Sequence, residues 1–285
     1  MNDKMLCSAR EFAIAIAQEA GALALDFQAR GLDERQVRTK SHHADLVTEA
    51  DIAVEAMITS TIRQQFPEHV IFAEESAGAG IPSGEWMWLI DPVDGTTNFA
   101  HGLPLFCVNI ALAHHGQPVV GVTCEPWASR VYWAESGAGA WLRVEQSDRP
   151  LRVSAVPELR RALLATGFAH GRRESTPANL AEFAALDLDA HAVRRLGSAA
   201  LVLAWVAAGR LDGYWEAELK PWDAAAGVLL VQEAGGRVTD GSGQPWTLAS
   251  RYIVATNGQP GIRTAMLETI GAAQRQMLYL NRLSA

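Results

Sequence analysis

The chain has 285 residues, a length that suits one large domain or two intimately packed ones. Its 49% hydrophobic and 20% charged residues are ordinary for a globular protein, and a formal net charge of −8 argues against nucleic acid or an anionic membrane surface as the main partner. The same charge still admits a small phosphorylated substrate, because bound divalent cations reverse the local sign.

The three cysteines, Cys7, Cys107 and Cys124, are widely spaced and form no CxxC or His-rich pairing. That speaks against zinc and fits the reduced thiols of a cytoplasmic protein. An amphipathic helix is predicted over residues 8–29, with Phe12, Ile16, Leu23 and Phe27 near one face. Gln18 and Glu19 interrupt its apolar stretch, which suits neither a signal-peptide core nor a membrane span. Lys40 then opens a polar stretch containing the adjacent His42 and His43, read as solvated loop residues.

A second helix is predicted from about Thr48. Thr48 and Asp51 match a capping pattern, and Val54, Met57, Ile58 and Ile62 supply a buried stripe. Asp51 then has a purely structural role open to it, stabilising the helix N-terminus. A short strand over residues 70–73 runs into Glu74-Glu75-Ser76, and acids packed side by side there would repel unless a cation lay between them. After a loop at 78–84, residues 86–90 read as a buried strand. It is expected to stop at Asp91-Pro92, since proline has no N–H for the ladder. Asp91 and Asp94 then sit three apart on a tight turn, with Gly95 free to take an unusual backbone angle. Such a turn suits a hard metal ion and a phosphate, although a solvated Asp-Pro turn has the same local sequence.

Beyond Phe99 the pattern becomes antiparallel. Residues 107–114 and 118–123 form a predicted hairpin around His115-Gly116, continued by 130–134 and 140–144 with Gly137 and Gly139 at the turn. Another apolar strand is predicted at 163–166 and a helix at 176–186. The last third reads as α/β. A strand at 192–194 leads to Ser198, a candidate N-cap for a helix reaching 208. A strand at 211–215 ends in Glu216, and Pro221-Trp222-Asp223 opens a helix to 234. Gly235-Gly236 stops that helix. Strands near 237–239 and 252–255 precede a final helix after Pro260. A single domain over 1–285 is expected, with an α+β part over 1–190 and an α/β part over 191–285.

The acids that end strands or begin helices are Asp51, Glu74, Asp91, Asp94 and Asp223. All are oxygen donors, a set that selects magnesium or manganese over zinc or copper. Val93 adds its backbone carbonyl between the two aspartates. Several carboxylates sharing one site would be strongly destabilising without metal.

At this point the chain resembles a known family. The stretch Trp88-Leu89-Ile90-Asp91-Pro92-Val93-Asp94-Gly95-Thr96-Thr97-Asn98-Phe99 is similar to the first signature of the inositol monophosphatase family. Trp222-Asp223-Ala224-Ala225-Ala226-Gly227, continuing to Glu233-Ala234-Gly235-Gly236, is similar to the second. Asp45 to Asp51 and Glu74-Glu75-Ser76 match its upstream elements, and order and spacing agree from about Lys40 to Gly236. The resemblance implies a layered α-β-α-β-α sandwich, magnesium-dependent phosphomonoester hydrolysis with two or three ions per site, a homodimer, and inhibition by lithium. It implies that Glu74, Asp91 and the Val93 carbonyl hold a first metal, and that Asp91, Asp94 and Asp223 hold a second. By the same resemblance Asp51 lies near a third ion and Lys40 near the phosphate. Thr96, with Glu74, orients the attacking water, and the Gly95 and Thr96 amides face the phosphate. Asp94, Ala199 and Glu216 contact the substrate.

The chemistry is coherent without the family name. Metal ions make a water nucleophilic near neutral pH and stabilise a leaving alkoxide, so no Ser-His-Asp triad is required. His101 and His170 read as structural or specificity residues rather than bases. A small singly phosphorylated polyol, myo-inositol monophosphate first among them, is the expected substrate. Fructose 1,6-bisphosphate would need a second cationic site, for which His170-Gly171-Arg172-Arg173 is the candidate, and histidinol phosphate would need acids such as Glu216 and Glu218. A catalytically silent regulatory protein would have lost a metal carboxylate or Thr96, and none is missing.

Overall fold

Alanine spacing decides how the first helix sits. In α1 (Asp3–Arg30), Ala13, Ala17, Ala20 and Ala24 recur three and four apart and are fully buried, so the helix backbone lies close to the surface it covers. The protein is represented by a computed structural model that describes residues 3–31, 37–39, 46–168 and 179–284. After α1 come β1 (Val37–Thr39), β2 (Leu46–Thr48), α2 (Glu49–Gln65), β3 (Val70–Ala73), β4 (Trp86–Asp94) and the short α3 (Thr96–Ala100). An antiparallel run follows: β5 (Cys107–His114), β6 (Gln117–Glu125), β7 (Arg130–Glu135), β8 (Gly139–Val144) and β9 (Ser147–Pro150). The remainder is β10 (Leu163–Thr166), α4 (Leu180–Asp189), β11 (Ala192–Arg194), α5 (Ala199–Ala207) and β12 (Gly213–Ala217). It closes with α6 (Pro221–Glu233), β13 (Arg237–Thr239), β14 (Tyr252–Thr256) and α7 (Pro260–Ser284).

A seven-stranded sheet has the order β3-β4-β5-β6-β7-β8-β9, and a five-stranded one the order β11-β10-β12-β14-β13. Only β3–β4 is parallel in the first; the second is mixed. Helices α1 and α2 cover the outer face of the first sheet, α5 and α6 lie between the sheets, and α4 and α7 cover the far face of the second. The result is the expected α-β-α-β-α sandwich. Both faces of each sheet are covered, which explains apolar strands that scarcely alternate in polarity. In β4, Trp88 and Ile90 enter the outer core under α1 and α2, while Met87 and Leu89 enter the core shared with α5 and α6. In β12, Tyr214 faces the same shared core and Trp215 the one under α7. Helix α6 approaches β6 closely because residue 121 is glycine: a Cβ there would lie 2.7 Å from the Ala226 carbonyl oxygen.

Several boundaries differ from the sequence expectation. Strand β4 does not end at Asp91-Pro92 but runs to Asp94, with a register shift against β5 between Asp91 and Asp94. The proline sits in that irregularity, where a missing N–H costs no ladder bond. Strand β9 was not foreseen; its residues Ser147, Asp148, Arg149 and Pro150 are all exposed at the sheet edge and carry no apolar pattern. Glu216 lies within β12 rather than beyond it. Helix α4 begins at Leu180, and the predicted start at 176 lies outside the described residues. Strand β10 pairs with β11 and β12, so the second sheet already begins at Leu163. Among the described residues, no helix is long and apolar enough to cross a membrane.

Candidate active site

The irregular end of β4 presents the first carboxylates. Asp91 is buried and its Oδ1 accepts the Val93 amide at 3.1 Å, which folds the Asp-Pro-Val segment back on itself. Gly95 follows in the left-handed region at φ 98°, against the Leu105 carbonyl, which a Cβ would meet at 2.9 Å. The turn sets Thr96 at the start of α3, where its Oγ1 lies 3.1 Å from the Val93 carbonyl and 3.2 Å from Asp51 Oδ1. Asp51 is buried in the first turn of α2, and its other oxygen accepts the Thr48 amide at 2.8 Å and the Thr48 hydroxyl. Asp51 therefore caps its helix and also touches Thr96.

Two other elements complete the cluster. Glu74 extends the β3–β4 pairing through its amide, which donates to the Ile90 carbonyl at 3.1 Å. Its neighbour Glu75 is held by α2, whose buried Glu55 accepts the Glu75 amide at 2.7 Å. Asp223 stands in the first turn of α6 and accepts the Lys220 amide at 2.7 Å. That helix start is tied to the first sheet: Asn109 donates to the Trp222 carbonyl at 2.7 Å and accepts the Thr123 hydroxyl at 2.8 Å. The Trp222 ring meets Phe72 edge-on at 4.8 Å. Carboxylate oxygens of Glu74, Asp91 and Asp223 consequently lie within 4.8 Å of one another. Burial first, and then repulsion led by Glu74, push the carboxyls of Asp91 and Asp223 well above the usual carboxylate range. Such an all-oxygen cluster fits a divalent hard cation, whose charge would offset both effects.

Asp94 is placed differently from these three. Its carboxylate turns to the start of α5, accepting the Ser198 hydroxyl at 2.6 Å, the Ala200 amide at 2.7 Å and the Ala199 amide at 3.2 Å. Burial raises its carboxyl, and these three bonds oppose the shift. The charge of Asp94 also raises the carboxyls of both Asp223 and Glu216. Glu216 accepts the Tyr214 hydroxyl and is pushed up to about 7, by burial first, with the Tyr214 bond opposing. Its carboxylate lies against Gly167, where a Cβ would come 2.0 Å from Oε2. Thus Asp51, Glu74, Asp91, Val93, Asp94, Gly95, Thr96, Ala199, Glu216 and Asp223 border one region, although Asp94 and the Ala199 amide bond each other.

Lys40, His42, His43, His170, Arg172 and Arg173 lie outside the described residues. His101 is exposed after α3. Sequence reading passed over Tyr214, Gly167, Glu55, Asn109 and Thr123. For three of these a signal existed: Glu55 follows Asp51 by four residues on a buried stripe, and Asn109 and Thr123 interrupt apolar strands.

The sequence profile of the Inositol monophosphatase family matches residues 5–278. The chain belongs to the inositol monophosphatase family. Among its relatives in that family, an inositol-1-monophosphatase from Synechocystis sp. is 44% identical over 225 residues, 79% of this chain and 77% of that protein. The Nus factor SuhB of Vibrio cholerae is 40% identical over 224 residues, 79% of this chain and 82% of the other. Among solved structures, an IMPase from Thermotoga maritima is 32% identical with a TM-score of 0.83, covering 94% of this chain and 98% of that one. SaIMPase-II of Staphylococcus aureus with inositol monophosphate bound is 26% identical with a TM-score of 0.76, covering 97% and 100%. Family phosphatases of this kind are metal-dependent, and among the described residues Glu74, Asp91 and Asp223 form an acidic cluster whose donors could hold a metal.

Proposed function

We propose that this family member hydrolyses a small phosphate monoester in a magnesium-dependent reaction, with myo-inositol monophosphate as its preferred substrate. The convergence of Glu74, Asp91 and Asp223 carries the proposal. These residues, with Asp94 and the Val93 carbonyl, would hold magnesium, or manganese as a partial substitute. Magnesium would supply the Lewis acidity that makes a water nucleophilic near neutral pH and neutralises phosphoryl charge.

The chain's own groups do the positioning. Thr96 has one hydroxyl proton and two acceptors in reach, Asp51 and the Val93 carbonyl, which leaves its lone pairs to accept from the attacking water. Glu74 would accept that water's other hydrogen bond, so that the two residues orient it together. Phosphoryl transfer then needs in-line positioning and charge neutralisation, for which the Gly95 and Thr96 amides and Lys40 are the candidates. Ala199 at the start of α5 and Glu216 on β12 would meet the hydroxyls of the alcohol. An inositol-1-monophosphatase name and an inositol monophosphate-bound structure among the relatives support this substrate over a bisphosphate or histidinol phosphate. A homodimer, as the family resemblance implies, is part of the proposal.

The test is phosphate release from inositol 1-phosphate, fructose 1,6-bisphosphate and histidinol phosphate, with magnesium or with chelator. Inositol 1-phosphate should give the highest kcat/KM, only with magnesium, and lithium should inhibit. Full turnover in chelator would sink the metal assignment, and a preference for the bisphosphate would sink the substrate. Because SuhB relatives carry the name Nus factor, a regulatory binding role is the second reading. Absence of turnover on all three esters, with magnesium bound, would favour it.

A further inference from the structure

At the other end of β4 and β5 three ligating side chains meet. Glu85, His114 and His115 each offer an atom, and these atoms lie within 4.8 Å of one another. Adjacent strand residues normally point to opposite faces. Here His115 leaves the strand with φ 48°, in the left-handed region, which breaks the alternation and brings its ring to 4.2 Å from that of His114. The His115 amide donates to the Glu85 carbonyl at 2.8 Å, fixing the hairpin turn to the chain segment before β4. His114 pairs with Trp86 in the β4–β5 register and stacks on it at 4.1 Å, while its Nε2 lies 3.4 Å from Glu85 Oε1. One ring is thus held by stacking, and the two other side chains are exposed enough to rotate onto a shared ion.

We infer that Glu85, His114 and His115 form a second metal site, for a late first-row divalent ion such as zinc or copper. Two imidazoles and one carboxylate are the donors such ions take, and metal–donor bonds of about 2.0–2.2 Å place tetrahedral donors roughly 3.3 Å apart, within small rotations of the positions seen. Magnesium, which prefers six oxygens, is disfavoured by two nitrogen ligands. The nearby His69 is not a third imidazole ligand. Its Nδ1 accepts the Trp88 indole N–H at 3.0 Å, and burial lowers its pKa, so its proton sits on the other nitrogen. The cysteines take no part. Six residues of strand at roughly 3.4 Å each put Glu85 about 20 Å from Asp91, so the ion would clamp the hairpin to β4 at a distance from the acid cluster.

The experiment is zinc titration of the full chain by calorimetry under saturating magnesium, with copper EPR as a second readout. Wild type should bind one zinc per chain in preference to magnesium, and copper should show coupling to two nitrogens. His115→Ala, an exposed change, should weaken zinc about tenfold or more and leave one coupled nitrogen. Glu85→Gln should weaken zinc with both nitrogens retained. A His42→Ala/His43→Ala variant should bind as wild type does. The inference is overturned if wild type binds no zinc under magnesium, or if His115→Ala and Glu85→Gln both bind unchanged. Loss of zinc in the His42/His43 variant instead would overturn it equally.

Discussion

Asp94 has two roles that its variants should separate. It is proposed as a metal ligand, and it also holds the first turn of α5 through Ser198, Ala199 and Ala200. Asp223→Asn should reduce turnover by orders of magnitude and raise thermal stability in chelator, because it removes one of several mutually repelling buried acids. Asp94→Asn should also abolish turnover but should lower stability, by about 1–3 kcal/mol, through weakened charge-assisted bonds to α5. Equal melting shifts for the two would show that the α5 contact contributes nothing. Glu216 supplies a pH signature. Its carboxyl rises from an ordinary 4.5 to about 7 in the folded chain, so the unfolded chain loses the proton first. Stability from this group is full below about pH 4.5 and is lost as pH rises toward 7. In chelator, the Tm of wild type should fall relative to Glu216→Gln across that window, as read by calorimetry. Parallel curves would mean that Glu216 titrates normally.

At the scale of elements, the cluster depends on how α6 is moored to the seven-stranded sheet. Gly121 lets the helix approach, and the Thr123–Asn109–Trp222 chain of hydrogen bonds fixes its first turn. Asn109→Leu leaves the Trp222 carbonyl and the Thr123 hydroxyl buried without that partner, at a cost of about 1–3 kcal/mol each. Because Asp223 follows Trp222 directly, the variant should demand several-fold more magnesium for half-maximal rate, with a smaller change in kcat. Adding Thr123→Val should recover part of the stability, since one orphaned group is then gone. A normal magnesium demand in Asn109→Leu would show that Asp223 is positioned by its own helix alone.

Across the whole molecule, the acid cluster joins β3, β4 and α6, elements that otherwise repel one another at that point. Burial and like charge raise Asp91 and Asp223, and protons therefore compete with metal for them. Magnesium should raise the Tm more at pH 8 than at pH 5, because the carboxylates must be ionised to bind it. In Asp223→Asn the increment at pH 8 should shrink. The same magnesium-induced rise at both pH values would place the binding ion elsewhere.

Much of this protein was legible in its sequence because the controlling physics is local. The capping pattern at Thr48, the proline in the first turn of α6, the glycines at turns and the apolar strand runs act within a few residues, and they predicted most elements, though not β1, β2, α3 or β9. The motif resemblance also named the acids that converge. Its limits were equally physical. Pro92 stops a strand in isolation, but a register shift against β5 carries β4 past it to Asp94. Glu74 and Asp223 are 149 positions apart in the chain, and only the packing of α6 on the first sheet brings them together. The turn of Asp94 onto α5, the raised carboxyl of Glu216 beside Gly167, and the meeting of Glu85 with His114 and His115 depend on contacts between distant segments. Residue types and spacing determined the chemistry available to the chain. The tertiary structure decided which side chains share a neighbour and, through burial and charge, which carboxyls are pushed above their ordinary range.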